Sequence, residues 1–155
     1  MSQSPVYSER LGVPLRWWVQ GTMLVATLWL AVVVALPPVA AWVITAIAMS
    51  VLSVGLWAYG AARVDVDTET FRAGRAHIAA THVGAATPLD AVETRRTAGV
   101  DADARAYLLL RPYLKRAVKV EITDPADPAP YWLVSTRRPD ELAQALTALS
   151  ATTER

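Results

Sequence analysis

Residues 17–59 read WWVQGTMLVATLWLAVVVALPPVAAWVITAIAMSVLSVGLWAY, and the interpretation of this stretch decides the architecture. It holds no Asp, Glu, Lys or Arg; every charge in the chain lies outside it. A soluble core must share its apolar residues with polar faces along each element, so a long uncharged apolar block is the pattern of membrane-spanning helix. The block is about twice what one crossing needs, since a ~30 Å hydrocarbon core takes ~20 residues at 1.5 Å per residue. Pro37-Pro38 falls at its middle. A proline pair removes two backbone donors and disfavours helical geometry at the preceding residue. Two spans, 17–36 and 39–59, are therefore expected to form a helical hairpin.

The flanks orient it. Trp17 and Trp18 open the first span while Trp57 and Tyr59 close the second, which puts both aromatic sets at one membrane face. Arg10 and Arg16 precede the spans, Arg63, Arg72 and Arg75 follow them, and the connector has no basic residue. The positive-inside rule then places both termini in the cytoplasm. A cleaved leader is not expected, because the apolar stretch is too long for one and a second span follows at once.

The rest of the composition narrows the function. The net charge is +1, and Glu9, Arg10 and Arg16 already account for it, so residues 60–155 sum to zero. A neutral tail lacks the basic surface that nucleic-acid binding needs. Cysteine is absent, which excludes disulfides, thiolate chemistry and Cys-ligated metal. Only Lys115 and Lys119 are lysines, and alanine is abundant, a coding signature of a high-GC bacterial genome.

After Arg63 the period changes. Val64, Val66 and Thr68 alternate with Asp65, Asp67 and Glu69 as in a half-buried strand. Residues 71–82 (FRAGRAHIAATH) suggest one strand with a bulge at Gly74, and 106–110 (AYLLL) a buried strand. Residues 117–123 alternate cleanly, with Val118, Val120 and Ile122 opposite Lys119 and Glu121. The segment DPADPAP (124–130) must be a loop, and 131–136 (YWLVST) is the next strand. Pro139, Asp140 and Glu141 then suit a helix first turn, followed by Leu142, Ala145, Leu146 and Leu149 at one-face spacing. The expected fold is a membrane α-hairpin of two transmembrane helices plus a small α+β domain. That domain would be a bent antiparallel sheet or open barrel with a C-terminal amphipathic helix. The expected organisation is a cytoplasmic N-terminal segment (1–16), the hairpin (17–59) and a cytoplasmic domain (60–155).

Two blocks carry a family resemblance: YSERLGVPLRWW (7–18) and DARAYLLLRPYLKRAVKVEITDPADPAPYWLVSTRRPDELAQAL (103–146). Together they resemble a domain-of-unknown-function family of small, alanine-rich actinobacterial membrane proteins, over almost the whole chain. That family has no assigned activity or catalytic residues to transfer. The ending YWLVSTRRPDELAQAL (131–146) after two spans is also similar to bacterial membrane proteins with pleckstrin-homology-like (PH-like) domains. The resemblance implies a terminal helix plugging a seven-stranded barrel, and a binding or scaffolding role instead of a reaction.

The candidate sites are few. Arg111, Lys115, Arg116, Lys119, Arg137 and Arg138 could meet an anionic lipid headgroup or a partner's acidic segment, or pair with the tail's own acids. Arg95-Arg96 is a further basic pair. Ala41, Thr45 and Ala48, with Ala46 and Ser50 beside them, form a small-residue helix-packing stripe. It would serve either the first span of the same hairpin or a second membrane protein. His77 and His82 are five apart, an odd strand separation that puts them on opposite faces, so no metal site is expected. Ser135 lacks a Gly-x-Ser-x-Gly elbow. Asp124 and Asp127 suit turn hydrogen bonds, and Asp65, Asp67 and Glu69 a solvated strand edge. No catalytic residue, cofactor or metal is expected. The chain is thus read as a non-enzymatic integral protein of the bacterial cytoplasmic membrane, its cytoplasmic domain binding or scaffolding near the bilayer. The alternative is an accessory subunit of a larger membrane complex.

Overall fold

A computed structural model describes residues 6–153. The chain divides into two compact units, one comprising residues 12–61 and the other the residues on either side of it.

The first unit is a pair of helices, α1 (Leu15–Ala35) and α2 (Pro38–Tyr59), each long and apolar enough to cross a membrane. Leu36, next to Pro37, is extended (φ −129°, ψ 158°), as the residue before a proline tends to be, and ends α1. Pro38 takes the first turn of α2, where its missing N–H costs no helical hydrogen bond. Ring contacts Trp17–Tyr59 (6.4 Å) and Trp29–Trp42 (5.6 Å), with Gly21 against Leu52, show an antiparallel hairpin. Among the described residues only Val25 and Ala41 of these helices are buried. Leu24, Leu30, Val34, Trp42, Ile47 and Trp57 are among the apolar side chains left exposed. The small-residue stripe packs inside the hairpin: Ala41 is fully buried, and Thr45 and Ala48 are half-buried, whereas Ala46 and Ser50 face outward.

Among the described residues, the second unit holds eight strands, two α-helices and a short 3₁₀ turn. Strands β1 (Tyr7–Arg10), β2 (Arg63–Val66), β3 (Thr70–Ala73) and β4 (Ala76–Ala79) form an antiparallel sheet in that order. Tyr7–Arg10, expected within a separate segment 1–16, is therefore an edge strand of the sheet. The hairpin is an insertion between two paired strands. Residues 71–82, expected as one bulged strand, are instead β3, a tight turn, β4 and a short 3₁₀ turn (Ala80–His82). Gly74 holds φ +64° at the first central position of that turn, the arrangement that suits a two-residue hairpin loop. Gly74→Val should lower domain stability by about 1–2 kcal/mol, the cost of a left-handed residue with a Cβ, read as a shift in thermal midpoint.

A second sheet has the order β5-β7-β8-β6, from β5 (Val83–Leu89), β6 (Tyr107–Leu109), β7 (Ala117–Ile122) and β8 (Tyr131–Ser135). Antiparallel pairing was expected throughout, but β6 runs parallel to β8. The α3 helix (Ala91–Ala98) in the β5–β6 connection lets the chain return to the sheet in the same direction. Its start is fixed by a capping box: the Asp90 carboxylate accepts from the Val92 and Glu93 N–H groups, and Glu93 accepts from the Asp90 N–H. β5 tolerates Pro88 because it is an edge strand.

Both sheets and the C-terminal helix α4 (Pro139–Thr153) share one core, in which Phe71, Val118, Val120, Trp132, Leu142 and Leu146 are buried. Leu89, Ala117, Tyr131 and Leu133 form a smaller cluster with Ala98 packed against it. β8 is thus covered on both faces, and all five of its residues are buried. That burial explains its unbroken apolar run.

Candidate functional site

The β1/β2 ladder ends at Arg10 and Arg63, which face each other as cross-strand partners. Leu11 N–H donates to the Ala62 carbonyl at 2.9 Å, making the next rung a hydrogen-bonded one. Alternation then puts Arg10–Arg63 at a non-hydrogen-bonded rung, where Cα atoms approach to ~4.5 Å and side chains are closest. Both arginines are exposed. Like charges directly opposite on a sheet are destabilising.

Three more arginines continue this rim. Gly74 N–H donates to the Arg63 carbonyl at 2.8 Å, which puts the exposed Arg75, in the same turn, beside Arg63. On the outer edge of β1, the Arg137 guanidinium donates to the Arg10 carbonyl at 3.1 Å. The Arg116 guanidinium donates in turn to the Arg137 carbonyl at 3.0 Å. The Tyr113 hydroxyl donates to the Leu11 carbonyl at 2.6 Å and fastens the 111–116 loop to the same place. The result is an arc Arg75–Arg63–Arg10–Arg137–Arg116 at the end of the first sheet from which both legs of the hairpin leave. The other end of that sheet carries Asp67 and Glu69 at the β2–β3 turn.

A buried acid, Glu9, lies beside the arc, and the partly exposed Asp65 shares the outer strand face with Arg63 two residues away. Glu9 keeps 5% of its side-chain surface exposed and sits 3.7 Å from the Arg137 guanidinium. Its carboxylate accepts from the Tyr7 hydroxyl (2.7 Å), the Thr136 hydroxyl and the Arg137 backbone N–H (3.0 Å). Thr136 in turn accepts from the Arg138 N–H at 3.0 Å. This network joins β1 to the β8–α4 junction across more than a hundred residues of sequence.

Burial pushes the Tyr7 phenol up from 10.0 to about 12; the Thr136 hydrogen bond opposes the shift and Glu9 adds to it. The folded state therefore holds this proton longer than the unfolded chain does. Its contribution to stability is intact below pH 10 and falls as pH rises from 10 through about 12. Spectrophotometric titration should show one tyrosine ionising about two units late, a step missing from Tyr7→Phe.

The six basic residues singled out in the sequence do not form one site. Arg116 and Arg137 meet in the arc. Arg138 turns to Glu141 (2.9 Å) and lies 5.1 Å from the Tyr7 ring centroid. The Lys119 ammonium sits 4.6 Å from the Tyr131 ring centroid, beside the smaller apolar cluster. Lys115 is exposed, and the half-buried Arg111 donates its backbone N–H to the buried Ser135 hydroxyl at 3.1 Å. In α3, Arg96 pairs with Asp101 at 2.7 Å. Asp124 and Asp127 accept from the Ala126 and Ala129 N–H groups as turn residues. Arg10, Arg63 and Arg75 entered the sequence reading only as orientation signals. The pairing of β1 with β2 is what makes them neighbours of Arg137, and YSER alone does not announce a strand.

No curated protein and no solved structure matches the chain. The profile of one protein family, described as "Protein of unknown function (DUF3093)", does match, over residues 6–146. That interval takes in β1, both long helices, both sheets and the first half of α4, so the chain belongs to the DUF3093 family.

Proposed function

We propose that the protein is a non-enzymatic module of the bacterial cytoplasmic membrane, a PH-like binding or scaffolding domain held at the cytoplasmic face by its helical hairpin. One observation carries this reading: two exposed apolar helices are inserted between strands that pair with each other. Almost every apolar side chain on these helices would meet water in solution, at a cost of roughly 25 cal/mol per Å² of apolar surface. A bilayer removes that cost. Because β1 precedes the insertion and β2 follows it, a folded domain requires both ends of the hairpin on one side of the membrane. The basic arc at those ends supports the cytoplasmic side.

The PH-like reading is supported by two four-stranded sheets sharing a core with a C-terminal helix. The eighth strand and the parallel β6–β8 pair distinguish this domain from a seven-stranded barrel. A non-catalytic role accords with the buried hydroxyls of Ser135 and Thr136, which are engaged in hydrogen bonds to the backbone and to Glu9. The second reading is an accessory subunit of a larger membrane complex with Ala41, Thr45 and Ala48 as its contact; the burial of Ala41 favours packing within the hairpin, while Thr45 and Ala48 keep part of their surface exposed.

The test uses the cysteine-free sequence. The chain should resist carbonate extraction from membranes. A membrane-impermeant maleimide should label Val39→Cys, near the connector, in intact cells, and Thr68→Cys, in the β2–β3 turn, only after permeabilisation. Carbonate release, or labelling of Thr68→Cys in intact cells, would overturn the anchoring or the orientation.

A further inference from the structure

Gln20 is the one amide side chain in the two long helices, and among the described residues that amide makes no hydrogen bond. The hydroxyls of Thr27, Thr45 and Ser50 in the same helices instead donate to the carbonyl four residues back, at 2.9, 2.8 and 2.7 Å. Gln20 stands three residues inside Trp17, about 4.5 Å further along the helix axis. Gly21, Val25 and Trp29 turn toward α2, and the exposed Gln20 lies on the far side of α1. On that outer side Gln20, Leu24, Thr27, Ala31 and Val34 follow one another at steps of four, three, four and three, and all five are exposed. This is the spacing at which a helix meets a partner helix along a single seam.

An amide without a partner is costly beside lipid chains, where no water replaces the missing bonds. Its best partner lies at the same depth and offers both a donor and an acceptor, since an amide carries both. A second copy of this chain meets each condition. On the anchored reading above, every copy enters the bilayer in one orientation, so two Gln20 side chains sit at one level. Each can then donate its NH₂ group to the other's carbonyl oxygen. A single polar residue in an otherwise apolar seam also fixes register and partner number, and the small Ala31 allows close approach of the two backbones. Resting on that anchored reading, we infer that the outer face of α1 is the interface of a parallel homodimer. Gln20 pairs with its counterpart across the two-fold axis, and Leu24, Thr27, Ala31 and Val34 pack along the seam beyond it.

Single cysteines in the full-length, otherwise cysteine-free chain test this by oxidative crosslinking in native membranes. Leu24→Cys and Ala31→Cys should each give a species of twice the chain mass. Leu30→Cys, 60% exposed on the same helix but about 100° round from Ala31, should give far less. Adding Gln20→Leu to Leu24→Cys should weaken dimerisation by roughly three- to thirtyfold, the range of one interhelical hydrogen bond in a membrane. That loss is read from the crosslinked fraction as the purified chain is diluted with lipid. Gln20→Asn, which keeps the amide, should retain most of the dimer. If Gln20→Leu does not accumulate in the membrane, Gln20→Met replaces it and must show the same loss. No dimer at Leu24→Cys, or equal crosslinking at Leu30→Cys, overturns the interface. A Gln20→Leu dimer as strong as its parent overturns the role of the amide and assigns Gln20 to the lipid headgroups. A crosslinked mass that includes a different protein overturns the second copy as the occupant. Carbonate extraction of the same cells separates the two claims. A chain that stays in the membrane as a monomer refutes the dimer alone, whereas a released chain refutes the anchoring.

Discussion

Replacing Trp132 by alanine should destabilise the sheet domain by about 3–5 kcal/mol, the usual cost of removing a large buried aromatic. Trp132 is 3% exposed and stands between the two sheets. Its ring centroid lies 5.7 Å from that of Phe71 on β3 and 5.2 Å from that of Tyr107 on β6. Tyr107 in turn donates its hydroxyl to the Ala73 carbonyl at 3.0 Å, a second tie from the second sheet to the first. Removing the indole opens a cavity at this crossing point. Typical domains have only about 5–15 kcal/mol in total, so the variant should sit near its unfolding limit. Urea denaturation of the full chain reads the effect as a lower midpoint, and Trp132→Phe, which keeps a ring, should lose roughly half as much. Equal midpoints for Trp132→Ala and wild type would mean that the sheets are held together elsewhere.

Glu9→Ala is the second large effect, expected at about 2–4 kcal/mol because a buried charged acceptor is lost and a donor is orphaned. The Tyr7 and Thr136 hydroxyls, 3.1 Å apart, can still satisfy each other. The Arg137 N–H loses its carboxylate acceptor, and a small void remains. At 4–8 °C per kcal/mol for a domain of this size, the thermal midpoint should fall by at least about 8 °C. Glu9→Gln retains an acceptor oxygen but brings an NH₂ group among donors, so it should fall between. If Glu9→Ala melts like wild type, the carboxylate network is not what holds β1 to the domain.

The parts of the fold legible in the sequence were those where one physical signal dominates. The apolar block 17–59 with its central proline pair specifies two long helices without help from tertiary contacts. β7 alternates because one face meets the core, and the stripe Leu142, Leu146, Leu149 marks α4. The missed elements carry contrary local signals. β1 points Glu9 inward where an apolar residue would be looked for, and β5 carries Gly84 and Pro88. α3 lacks an apolar stripe, yet Asp90 and Glu93 at capping-box spacing were a readable start signal. Gly74 was visible as a backbone exception, but a turn and a bulge both favour it. The arc was legible only in pieces. Its members come from five separate segments, and only strand pairing and α4 docking bring them together.

The placement of the hairpin between β1 and β2 also sets an order of events during biosynthesis. The ribosome makes β1 first and β2 only after both helices, so on the proposed anchoring β1 waits without its partner while the hairpin enters the bilayer. If one helix inserts and the other does not, β1 and β2 finish on opposite sides. Sheet pairing, the Glu9 network and the closing of the core are then all denied together. On that proposed anchoring, folding of the domain reads out the parity of insertion: a misinserted chain would not mature and would stay exposed to proteolysis, whereas a correctly threaded one would close behind itself.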